Sequence, residues 1–138
     1  MLNKIKLYGR REKNLEKIVN FRDLGLSEAT LEAIGKKGYE TPSPIQALCI
    51  PRLLDGTKDV IGQAQTGTGK TAAFSLPIID SIERENYVQA IVLAPTRELV
   101  IQVAEEISSL KGDKRLRVLP IYGGSNIMHQ MKKLSDGI

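Results

Sequence analysis

Ala64-Gln65-Thr66-Gly67-Thr68-Gly69-Lys70-Thr71 follows a short apolar run, Asp59-Val60-Ile61-Gly62, and leads into a stretch of helical character from about Gly69 to Ile82. Strand, glycine-rich loop and helix in that order are the setting in which a Walker A match carries weight. Gly67 and Gly69 let the backbone curl so that successive N–H groups face phosphate oxygens. The helix that starts here adds its N-terminal partial positive charge. Lys70 supplies a full charge to β- and γ-phosphates, and the Thr71 hydroxyl is placed to ligate Mg²⁺. The strict pattern begins with Gly where this chain has Ala64. A bare glycine-rich turn would not explain a lysine and a threonine both in register.

Outward from this loop, helical and strand patterns alternate, which predicts an α/β domain with a parallel sheet. Ser27 is a candidate N-cap, with Leu26 and Leu31 at the spacing of a hydrophobic staple; that helix should run to about Lys37 and stop at Gly38. A second helix is predicted from Ser43-Pro44 to about Leu54, with Asp55-Gly56 as its exit turn. Asp59–Gly62 reads as a short buried strand, Gln89–Ala94 as a second and Leu116–Tyr122 as a third. Pro77 should kink the helix after the loop. Thr96 caps a helix on which Leu99, Val103, Ile107 and Leu110 recur at about 3.6 residues. Ser125 is read as the cap of a last helix bearing Ile127, Met131 and Leu134, after which Gly137-Ile138 would begin a fourth strand.

The 138 residues suffice for one small domain with a core, and 41% hydrophobic with 26% charged residues is an ordinary globular balance. No apolar run approaches the length of about 20 residues that spans a bilayer, and no h-region marks a secretory signal. The single cysteine, Cys49, excludes an internal disulfide and a cysteine metal cluster, and reads as a small buried apolar residue. Together these features favour the cytoplasm. The net charge of +4 resides in residues 1–20, and residues 21–138 are balanced. Such a basic tail either attracts nucleic acid or is a solvated extension, and both readings stand. Lys114, Arg115 and Arg117 read first as a solvated loop, and His129 as a surface residue.

About twenty residues before the loop lies Gly38-Tyr39-Glu40-Thr41-Pro42-Ser43-Pro44-Ile45-Gln46. The Gln46 amide suits the N6/N7 edge of adenine. Ser43 and Gln46 also stand at capping-box spacing, so Gln46 equally suits its own helix. Tyr39, and Phe21 upstream, are candidates to stack on a purine.

These residues resemble the DEAD-box RNA helicases. Phe21 with residues 38–46 looks like the family's Q motif, Ala64–Thr71 like motif I, and Pro95-Thr96-Arg97-Glu98-Leu99 with Gln102 like motif Ia. Gly123-Gly124 looks like its GG element. The resemblance covers about residues 21–138 and implies a P-loop NTPase fold with a RecA-like parallel sheet flanked by helices, incomplete at its C-terminal side. It implies ATP and Mg²⁺ as cofactors and RNA as a partner. It also implies that Gln46 reads adenine, with Phe21, Tyr39, Thr41, Gln65, Thr66, Gly67, Thr68, Gly69, Lys70 and Thr71 in the nucleotide site. Pro95, Thr96, Arg97, Gly123 and Gly124 would face the RNA backbone, where a helix N-terminus and a cation suit phosphate.

The family's Thr-Pro-Gly-Arg, Asp-Glu-Ala-Asp and Ser-Ala-Thr elements do not occur in this sequence, nor does a second RecA-like domain. The expectation is therefore an N-terminal, ATP-binding part of an RNA helicase. It should bind nucleotide weakly with little or no hydrolysis, be of low stability or associate, and unwind RNA only within a longer parent. The alternatives are a non-catalytic ATP- or RNA-binding module made by truncation, another superfamily 2 helicase, and a small nucleotide kinase. Gln46 argues against the other helicases. A kinase would not be expected to carry Pro95–Gln102.

Overall fold

The computed structural model describes residues 6–7, 20–56 and 59–138, so most of the basic tail expected over residues 1–20 lies outside the described residues. Asn20 opens the remainder. Its Oδ1 accepts from the Arg22 N–H at 3.0 Å and its own N–H donates to Asp23 Oδ2 at 3.2 Å, holding a 3-10 turn over Phe21–Leu24. Helix α1 spans Glu28–Lys36 and Gly38 beyond it takes φ +78°, the stop anticipated there. Helix α2 spans Pro44–Asp55 and ends on Gly56. Helices α3 (Lys70–Ser81), α4 (Arg97–Leu110) and α5 (Ile127–Ser135) complete the set. Pro51 within α2 was not foreseen; it removes one intrahelical donor, and burial of Ala47, Leu48, Cys49 and Ile50 around it holds the helix together.

The core forms where α2, α3 and α4 meet. Ile50, Leu76, Ile79 and Leu110 are fully buried there with Leu24 and Ile34. Leu26 and Leu31 join the same cluster, as the staple spacing predicts. On α4 the expected face is buried only in its second half, through Ala104, Ile107 and Leu110; Leu99, in the first turn, is 40% exposed. On α5 no residue is buried, and Ile127, Met131 and Leu134 face solvent.

The sheet departs from expectation. β2 is Gly62–Gln63, and its partner is β1, Lys6–Leu7, in antiparallel register with Lys6 opposite Gln63 and Leu7 opposite Gly62. Among the described residues, 89–94 and 116–122 run between helices without a backbone ladder, and Gly137 turns at φ +85° where a fourth strand was expected. Ile61 is 63% exposed, so the strand expected to be buried at 59–62 is not, and Leu93 in the second stretch is 91% exposed. Alternation and β-branched content mark stretches that suit a sheet. They do not name neighbours, because a crossover helix need not return the chain to the adjacent position.

Asp80, near the end of α3, ties three segments together. Its carboxylate accepts from the Ser27 N–H at 3.0 Å, the Ser27 hydroxyl, the Thr30 hydroxyl at 2.6 Å and Lys114 Nζ at 3.2 Å. Ser27 holds the N-cap position of α1 as expected, but its hydroxyl is turned to Asp80 and makes no cap bond of its own. The Asp80 carboxylate thus sits at the start of α1, where the helix dipole favours it. Burial by itself would raise its pKa; the bonds from Ser27, Thr30 and Lys114 outweigh this and hold it below the ordinary carboxylate value. Lys114 also donates to the Ile79 carbonyl at 2.9 Å, and Arg117 donates to the Asp136 carbonyl at 2.9 Å. The solvated reading of this basic cluster is therefore corrected for Lys114, which is half-buried; Arg115 and Arg117 are exposed as that reading expects, with Arg117 hydrogen-bonded to a carbonyl at the end of α5.

Candidate functional site

The phosphate loop leaves β2 at Gln63 and enters α3 at Lys70. Gly62 permits the approach of that strand to α2: a Cβ there would lie 3.1 Å from Cys49 Sγ. Cys49 is buried, and burial pushes its thiol pKa up, more than Arg52 pulls it down, as suits an inert packing residue. Gly67 and Gly69 take φ +80° and +82°, the left-handed turns the loop requires. Lys70 Nζ reaches back into the loop and donates to the carbonyls of Ala64 at 2.7 Å and Gln65 at 2.6 Å. Thr68 donates its hydroxyl to the Gln65 carbonyl at 2.7 Å. Thr71 stands one residue into α3, half-buried; Gln65 and Thr66 are exposed.

Gln46 joins this loop directly. Its Nε2 donates to the Gly69 carbonyl at 3.2 Å, while its Oε1 accepts from the Ser43 N–H at 2.8 Å. The helix bond and the loop contact coexist on one amide. One N–H and one oxygen lone pair then remain, the pair of functions that an adenine edge needs. Gln46 is only 4% exposed, packed so closely that a Cβ on Gly69 would lie 2.4 Å from Nε2. Gly69→Ala is therefore expected to displace the Gln46 amide, strain the backbone and cost about 1–3 kcal/mol, read as a lowered urea midpoint together with weaker nucleotide binding.

The aromatic candidates are placed less openly. Phe21 is 3% exposed and meets Tyr39 edge-on, ring centroids 5.9 Å apart. Tyr39 is half-buried and donates its hydroxyl to Glu106 at 3.2 Å; burial first, then the Glu106 charge and hydrogen bond, raise its pKa. In this state Phe21 serves the core, and a purine stacking on it needs that ring to open. Thr41 is exposed.

The second group of candidates lies at the start of α4. Thr96 caps that helix, its Oγ1 accepting from the Leu99 N–H at 3.3 Å. Pro95, Thr96, Arg97, Gly123 and Gly124 are all exposed. The Arg97 guanidinium lies over the Tyr122 ring at 4.8 Å, which links the two segments. Asn126, not Ser125, caps α5, through the His129 N–H at 3.1 Å; His129 itself is exposed as expected. A cleft of about 520 Å³ lined by Arg84, Tyr87, Arg115 and Arg117 contains none of these candidates. Among the described residues no three His, Cys, Asp or Glu side chains gather as a metal site, and no helix is long and apolar enough to cross a membrane.

The family model described as DEAD/DEAH box helicase matches residues 43–138, well over half of the chain. The chain belongs to the DEAD/DEAH box helicase family. It is 56% identical over 119 residues to the ATP-dependent RNA helicase CshA of Limosilactobacillus reuteri, covering 86% of this chain and 24% of that protein. It is 53% identical over 118 residues to the DEAD-box ATP-dependent RNA helicase CshA of Bacillus cereus, covering 85% of this chain and 22% of that protein. Among solved structures, a DEAD box protein from the hyperthermophile Methanococcus jannaschii matches with a TM-score of 0.80 and 47% identity, over 86% of this chain and 33% of that one. The RNA helicase Prp28 from Chaetomium thermophilum matches at 0.79 and 35% identity, over 96% of this chain and 33% of that one. The helicase-family chain thus spans about a quarter to a third of the length of these relatives. Its fold is that of a RecA-like domain in part, although the strands of that domain are not laddered among the described residues.

Two residues that contact the candidate surface carry no mark of it in the sequence motifs, Tyr122 beneath Arg97 and Gln130 beside Tyr122. The Tyr122 N–H donates to Gln130 Oε1 at 3.0 Å, and Gln130 Nε2 donates to the Tyr122 carbonyl at 3.3 Å. The tyrosine directly before Gly123-Gly124 was a signal in plain view; the eight-residue reach to Gln130 was not.

Proposed function

We propose that this chain is the N-terminal, ATP-binding part of an ATP-dependent RNA helicase of the DEAD-box type, residues 21–138 forming the nucleotide-binding unit and residues 1–20 a basic tail. The observation that carries the reading is the hydrogen bond from Gln46 to the Gly69 carbonyl, which sets an adenine-matching amide at the head of the phosphate loop. The relative from Chaetomium thermophilum is an RNA helicase bound to ADP. On this reading Gly67 and Gly69 curl the loop around phosphate oxygens, and Gln65, Thr66 and Thr68 complete it. Lys70 exchanges the Ala64 and Gln65 carbonyls for phosphate. Thr71 is the side chain assigned to Mg²⁺, an ion that keeps much of its water and binds mainly through substrate phosphates. Bound ATP would supply the γ-phosphoryl group that passes to water and leaves ADP, and Mg²⁺ would neutralise charge on the phosphates; the residues here bind and orient the nucleotide. Pro95, Thr96, Arg97, Gly123 and Gly124 face the RNA backbone. Unwinding belongs to a longer protein with a second RecA-like domain, and the single cysteine with no apolar span or h-region in this sequence favours a cytoplasmic site of action.

The test is binding of ADP and of GDP with Mg²⁺ to wild type and Gln46→Ala, by calorimetry. The expected result is a preference for ADP that Gln46→Ala lowers by roughly tenfold, with GDP affinity unchanged. Equal affinity of the wild type for the two nucleotides would remove Gln46 from the adenine site.

A further inference from the structure

Tyr122 stands where two exposed segments meet. Its ring carries the Arg97 guanidinium, and its backbone is held on both polar groups by the side chain of Gln130. A carboxamide presents a donor and an acceptor side by side, so Gln130 supplies what a neighbouring strand would supply. Among the described residues no ladder supports residues 116–122, so side chains hold the Tyr122 backbone: Gln130 on both polar groups, with the Ser125 hydroxyl a longer second donor to the carbonyl at 3.4 Å. Gly123 and Gly124 follow at once, the latter turning at φ +81°.

We propose that Gln130 and Tyr122 are positioning residues for the RNA-backbone surface: Gln130 fixes the Tyr122 backbone, and the Tyr122 ring holds the Arg97 guanidinium ready for a phosphate. The proposal rests on the reading above that Arg97 and Gly123-Gly124 face RNA. An exposed arginine samples many rotamers, and a ring beneath it removes part of that freedom before the ligand arrives. Gln130 is specific for the task. Glutamate can accept from the Tyr122 N–H but cannot donate to its carbonyl, and leucine does neither. Because α5 contributes no buried residue, changes at Gln130 leave the core intact.

The experiment is fluorescence anisotropy of a labelled single-stranded oligouridylate with the full 138-residue chain, with ADP affinity measured in parallel. The variants are Gln130→Leu, Gln130→Glu, Arg97→Ala and the Gln130→Leu/Arg97→Ala double change. Gln130→Leu is expected to weaken RNA binding by about two- to fivefold, the worth of an exposed cation–π contact, with Gln130→Glu in between and ADP affinity unchanged. In the Arg97→Ala background Gln130→Leu should do nothing further, since its effect passes through Arg97. Additive losses in the double variant overturn the proposal, as does wild-type RNA affinity in Gln130→Leu where Arg97→Ala weakens it. A parallel loss of ADP binding in both Gln130 variants also overturns it, because that marks general damage. Wild-type RNA affinity in Arg97→Ala overturns instead the assignment of the surface, and the proposal with it.

Discussion

Asp80→Ala is expected to remove about 2–4 kcal/mol of stability, because it strips a charged acceptor from several donors and leaves Lys114 partly buried without its partner. The carboxylate receives bonds from Ser27, Thr30 and Lys114, and its side chain is 11% exposed. Those donors come from the start of α1 and from the segment after α4, so one side chain secures α1, α3 and residue 114 together. Asp80→Asn should cost less, since one oxygen acceptor survives. The pH dependence follows from the depressed pKa. The stabilisation is present in full above the ordinary carboxylate value of 3.8 and is lost as pH falls through the lower folded value. Urea unfolding of wild type and Asp80→Asn near neutrality and again at acid pH tests this. The gap between the two proteins should narrow in acid, and a gap that stays constant would remove Asp80 from the acid response.

Lys70→Ala is expected to weaken ADP binding by roughly a hundredfold or more, since two charge-assisted hydrogen bonds are worth about 1.5–3 kcal/mol each. The present bonds from Nζ to the Ala64 and Gln65 carbonyls already bring the ammonium into the loop, so little rearrangement is required before it meets a phosphate. Loss of those two bonds should cost the fold little, because they tie the loop to itself and not to the core. Calorimetric titration with ADP and Mg²⁺, alongside a urea melt, separates the two effects. Retained affinity in Lys70→Ala would mean that the loop does not hold phosphate.

Much of the fold was legible. Capping and stop residues at Ser43, Gly56, Thr96 and Gly38 marked helix ends that the structure places close to expectation. The phosphate loop was legible because its requirements are local: Gly67 and Gly69 for left-handed turns, then Lys70 and Thr71 at the start of a helix. The sheet was not. Residues 59–62, 89–94 and 116–122 carry strand-like composition, yet β2 pairs with Lys6–Leu7 and the other two stretches have no ladder among the described residues.

The sequence by itself therefore determined the helices, the loop and the family, through patterns that a few adjacent residues complete among themselves. Only the tertiary structure decided that Gln46 serves Ser43 and Gly69 at once, that Ser27 turns from its own helix to Asp80, and that Gln130 holds Tyr122 beneath Arg97. Each of these is a choice of partner across the chain. A side chain's polar groups are written in its residue type, but which donor or acceptor satisfies them depends on what packing brings within about 3 Å.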